Sequence, residues 1–156
     1  MHARTQIRND IVGCLSTSLP EGVGVIASRR LPLTPQDLPR VLVYTDHEQS
    51  EIYNESPRVT KNTLDLTIEI LVSDSEATER KLDDLCFATE SALSAMILEN
   101  TCISKIVLKS TTIDSSTQTE NLLGIAKMVF EVIYLTEYSN DYLHLVDFES
   151  PQMEIH

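Results

Sequence analysis

The chain has 156 residues, three cysteines, and 24 acidic against 12 basic residues, for a formal net charge of -12. That length suits one ordinary domain with a core of its own. Cys14, Cys86 and Cys102, odd in number and widely spaced, argue against a disulfide framework and for free thiols in a reducing compartment. The acidic balance argues against binding to duplex nucleic acid, which rests on Lys and Arg neutralising phosphates.

In chain order, Ile7, Ile11, Cys14 and Leu15 recur at helical spacing between Arg4 and Ser18, with Arg4, Arg8 and Asp10 largely off the stripe. This predicts a first amphipathic helix, ended by Pro20 and Gly22. A short apolar piece, 23–27, leads into a connection whose prolines, Pro32, Pro35 and Pro39, disfavour helix and suit an extended loop or edge segment. Residues 40–46, Arg-Val-Leu-Val-Tyr-Thr-Asp, are rich in β-branched and aromatic side chains and predict a strand. The polar run from His47 to Asn62 is too long for a tight turn and predicts a protruding loop and contact surface.

The strongest pattern lies between Thr63 and Asn100. Leu64, Leu66, Ile68, Ile70 and Val72 alternate with mostly polar residues, as in a half-buried strand expected to pair with 40–46. Ser73 and Glu76 then have capping-box spacing, and Leu82, Leu85, Cys86, Thr89, Leu93, Met96 and Ile97 form a helical stripe that Asn100 is placed to end. The strand face and the helix stripe are expected to pack together. Lys105 to Ile113 predicts a further strand, running out into a Ser/Thr-rich solvated loop to Thr119. Gly124 to Glu137 returns as a strand apolar on both faces, with Met128, Phe130, Val132 and Tyr134 on one side, so it is expected in the middle of the sheet or covered on both faces. The order α-β-β-α-β-β predicts an α+β domain over 1–138, with a largely antiparallel sheet and both helices on one face. Residues 139–156 form an acidic extension without Lys or Arg whose apolar residues call for a cover.

No stretch is apolar and long enough to span a bilayer, and no basic-then-apolar leader opens the chain, so the expectation is a protein made in a cytoplasm without membrane contact. Asp83, Asp84 and Glu90 read as a solvated helix face. Asp46-His47-Glu48 lacks the spacing that brings metal ligands together. No Ser or Cys has an activating neighbour, so neither enzyme chemistry, a cofactor nor a metal is expected.

Taken together, the opening helix with Arg4 and Arg8, the Ser28-Arg29-Arg30-x-Pro32-Leu33 to Leu38-Pro39 connection, and the strand ending Val43-Tyr44 carry a resemblance. It continues through the 64–72 strand, the helix with Asp83-Asp84-Leu85 and Glu90, and the closing Phe130-x-Val132-x-Tyr134 strand. The chain resembles the tail terminator proteins of long-tailed bacteriophages from about Arg4 to Glu137. The 139–156 extension and the length of 47–62 depart from that family's compact pattern. The resemblance implies a structural virion protein assembled in the host cytoplasm. A homohexameric ring would cap the tail tube at its head-proximal end, stop polymerisation and offer a surface to head-completion proteins, with DNA passing the lumen unbound. Arg4, Arg8, Arg29, Arg30 and Arg58 are the candidate contacts with neighbouring subunits or the tube protein. The alternatives are a head-completion or tube protein of the same virion, and a ligand-binding α+β domain.

Overall fold

The computed structural model describes residues 2–28, 38–73, 78–99, 103–118, 121–138 and 143–145. In chain order these form α1 (Ala3–Ser18), β1 (Gly24–Ile26), β2 (Arg40–Glu55), β3 (Arg58–Ser73), α2 (Thr78–Glu99), β4 (Ile103–Gln118), β5 (Asn121–Tyr138) and β6 (Leu143–Leu145). Arg29, Arg30, the rest of the Pro-rich connection up to residue 37, Glu76, Asn100 and Cys102 lie outside the described residues.

The alternation in β3 decides the layering. Its even-numbered residues, Leu64 to Val72, lie on one side of the sheet, and the antiparallel register carries that side to Val41 and Val43 of β2 and to Ala126, Met128, Phe130 and Val132 of β5. These side chains form one buried cluster with Ala3, Ile7, Ile11 and Leu15 of α1 and Leu82, Leu85, Leu93 and Met96 of α2. Both helices therefore cover one face of the sheet, as the strand and helix patterns require. The strand order is β1-β2-β3-β5-β4, antiparallel except for the short parallel β1–β2 pair. β5 is central, as its two apolar faces predict, and β6 pairs with Thr136–Tyr138 beyond the start of β4.

Two glycines are required by their surroundings. Gly22 adopts φ +95° in the turn closed by Val23 N–H to the Pro20 carbonyl at 3.3 Å. Gly124 lies under the first turn of α2, where an added Cβ would collide with the Thr78 methyl and press on Leu82 and Val72. α1 is also tied to α2 through the Cys14 thiol, which donates to the Ala92 carbonyl at 3.5 Å.

Two expectations are corrected. The 47–62 segment is not a loop: β2 and β3 continue to Glu55 and Arg58, joined by a turn at Ser56-Pro57, and β3 stays paired with β5 out to Val59. Residues 49–53 of β2 are exposed, so they carry none of the alternation by which a half-buried strand is recognised. The Ser/Thr-rich 110–118 run is likewise strand, because β4 stands at the sheet edge, where β-branched polar side chains suit a paired but solvated backbone. Ser73 is the last residue of β3, and Glu76, its partner in the expected capping box, lies outside the described residues.

Candidate functional site

The polar side chains of the helix-covered face gather where α1 begins. His2 caps the helix: its Nδ1 accepts from Arg4 N–H at 3.1 Å, and its carbonyl accepts from the N–H groups of Thr5 and Gln6. The next turns bring Arg4 and Arg8, four apart, to one flank. Opposite them the β2 register slips between Thr45, paired with Leu66, and Glu48, paired with Leu64. This bulge turns Glu48 toward α1, while Asp46 accepts from the Thr67 hydroxyl at 3.2 Å on the other face.

Glu48 uses both oxygens. Oε1 accepts from Arg4 Nη1 at 2.9 Å, and Oε2 accepts from the Tyr134 hydroxyl of β5. Burial, then the hydrogen bond to Glu48 and its charge, push the Tyr134 hydroxyl far above its ordinary pKa, and Arg4 offsets part of this. The phenol keeps its proton, and the trio braces α1 against β2 and β5. Further along the same face Ser50 donates to Asn62 Oδ1 at 2.7 Å, and Asn62 Nδ2 donates to the Thr136 hydroxyl at 2.9 Å.

Beside this brace runs an open groove of about 430 Å³, whose lining includes His2, Arg4, Arg8, Asp46, His47 and Glu48, with Leu64 as an apolar contact. Arg8 is half-buried, and its Nε is shut off from solvent without a hydrogen-bond partner. Of the five arginines singled out from sequence, the structure brings Arg4 and Arg8 together here. Arg58 is exposed at the end of the β2–β3 hairpin, six residues along β3 from Leu64, or about 20 Å. Ile52 and Tyr53, 55% and 50% exposed, lie near that end. Arg29 and Arg30 lie outside the described residues.

In the sequence Glu48 stands out only within a run without metal-ligand spacing and Tyr134 only as part of an apolar strand face, and neither Asn62 nor Thr136 stands out as a partner. A signal exists in the sequence: Asn62 and Tyr134 continue the even-numbered faces of β3 and β5, so the same alternation that marks the core also marks its polar end. Asp46, His47 and Glu48 do not converge, and no group of three or more His, Cys, Asp or Glu could hold a metal ion among the described residues. No helix among them is long and apolar enough to cross a membrane. Compared with known proteins, the sequence matches no protein-family model and no curated protein.

Proposed function

We propose that this chain is a tail terminator of a long-tailed bacteriophage, a structural protein that closes into a ring on the finished tail tube, ends its polymerisation and presents a surface for head joining. The observation that carries the reading is the one-sided architecture. Both helices lie on one face, and the other face runs along strands of 16 to 18 residues, a span of about 50 Å, without a helix among the described residues. That face carries Asp65, Glu69 and Glu131 near its middle, with Lys61, Lys109 and Lys127 among them. In a ring, carboxylates of a sheet face turned to the lumen would repel phosphate and weaken the hold of those lysines on passing DNA. The hairpin end with Ile52, Tyr53 and Arg58 supplies the exposed apolar and basic groups of a subunit or tube contact.

The test is genetic and structural. A phage whose copy of this reading frame is interrupted should make tails of uncontrolled length that fail to join heads, and the purified chain should form a ring by light scattering and electron microscopy. Tails of normal length that join heads without the protein would overturn the reading.

A further inference from the structure

The sheet ends at β4, whose outer edge is covered by no strand among the described residues. Backbone N–H and C=O groups that turn away from β5 along such an edge are a template for one more strand. The side chains beside it are unfinished as well. Ile106, Leu108, Thr111 and Ile113 stand on the helix-covered face, opposite β5 residues of the buried cluster. Yet Ile113 is 44% exposed, and Ile106 and Leu108 are half-buried. An open groove of about 290 Å³ separates Ile106 and Leu108 from the flank of α2 that carries Glu90, Ser94 and Ile97. Phe87, one turn before Glu90 on that flank, is 70% exposed. Lysines and bulges commonly protect an edge of this kind from pairing. Here Lys109 is engaged with Glu131 at 3.1 Å, and the bulge between Leu108 and Ser110 favours one partner, a second copy of the same strand.

A two-fold axis normal to the sheet, passing between Lys109 and Ser110, would set two β4 strands antiparallel. Ile106 then stands opposite Ile113, Leu108 opposite Thr111, Val107 opposite Thr112 and Lys105 opposite Asp114, each pair occurring twice. In a regular strand the two members of each pair, an odd number of positions apart, would point to opposite faces. The extra residue of the bulge puts both members on one face, as the β5 register shows: Ile106 and Ile113 face the helices, and Lys105 and Asp114 face away. Apolar meets apolar and base meets acid, which is the self-complementarity a two-fold contact requires. We propose that β4 is a dimerisation edge, on which Lys105 to Asp114 pair with the same residues of a second copy and join two sheets into one, with all four helices on the same face. The pairing does not rest on the tail-terminator reading, since a two-fold contact closes at two chains and a ring needs a head-to-tail contact between different patches.

Sedimentation of the full chain over a range of concentrations, with amide hydrogen exchange read at both ends of the range, tests it. The outward-turned amides within 105–114 should exchange more slowly as the chain associates. Ile113→Lys, at an exposed site and checked for folding by its melting curve, should weaken association roughly tenfold or more, because it sets a charge against Ile106 of the second copy. Asp114→Lys and Lys105→Asp each set like charges against each other, and each should self-associate roughly fivefold more weakly than the natural chain. Mixed in equal amounts, these two variants offer one basic edge and one acidic edge, so base again meets acid and association should return to the natural strength. A chain that stays monomeric at every concentration, association that leaves the β4 amides exchanging as before, association unmoved by Ile113→Lys, or a mixture that associates no better than its components would each overturn the proposal. Growth to a ring that none of these variants disturbs would remove this pairing and leave the tail-terminator reading standing.

Discussion

Two buried groups hold their protons more tightly in the folded chain than out of it. Burial first, then the charges of Asp83 and Glu90, push the Cys86 thiol from 9.0 up to about 11, and Tyr134 is raised from 10.0 for the reasons given above. Between pH 9 and 11 an unfolded chain has lost the Cys86 proton that the folded chain keeps, so the folded state binds more protons and stability falls as pH rises through that window. Below pH 9 the contribution is fully present. A series of denaturant titrations from pH 7 to 11 should therefore show a falling alkaline limb that is shallower in Cys86→Ala. Tyr134→Phe should remove the part that sets in above pH 10, while costing ~1–3 kcal/mol at neutral pH because Glu48 Oε2 loses its donor. A limb of unchanged slope in Cys86→Ala would show that this thiol does not carry the effect. Cys86 was legible as a buried thiol from its stripe, but its charged neighbours' effect needed the helix geometry.

At the scale of elements, the sequence is legible wherever one side of an element is dry and the other wet. The 64–72 alternation and the Leu82 to Met96 stripe both mark the buried cluster, and the structure puts them in one core. The same criterion fails at residues 49–55 and 110–114, where both sides of a paired strand meet water and composition resembles a loop. Close approach is equally silent in a single sequence: nothing about Gly124 reveals that Thr78 stands over it. Gly124→Ala should overpack this contact and cost ~1–3 kcal/mol, since the colliding group is the methyl of a short β-branched side chain, with Leu82 and Val72 close beside it. Removing the opposing methyl with Thr78→Ser should return part of that loss in the double variant, giving a coupling energy above the ~0.5 kcal/mol expected of independent sites. Strictly additive losses would mean that the alanine is accommodated by a shift elsewhere.

At the scale of the whole molecule, the sequence shows an excess of acid after Lys61, and the structure shows where part of it lies. Asp65 and Glu131 are directly opposed across β3 and β5, and both are half-buried on the face away from the helices. Like charges in that position are unfavourable. Lys109 relieves one side, with its Nζ 3.1 Å from Glu131, and the register gives Glu69 Lys127 as its cross-strand neighbour. A fold free to optimise this face alone would gain from a base at position 65, and a ring that passes DNA across the same face would lose by it. Asp65→Lys separates the two demands. Opposite Glu131 the lysine should raise the stability of the isolated chain by ~0.2–1 kcal/mol, seen as a higher denaturation midpoint. If this face lines the lumen, the ring would then present several new cations to passing phosphate, and virions carrying the variant should assemble but release their DNA slowly, with the defect easing as salt screens the contact. Asp65→Asn, which removes the repulsion without adding a base, should share the gain in stability and release DNA normally. Asp65→Lys virions that eject at the natural rate would place the acidic face elsewhere than the lumen.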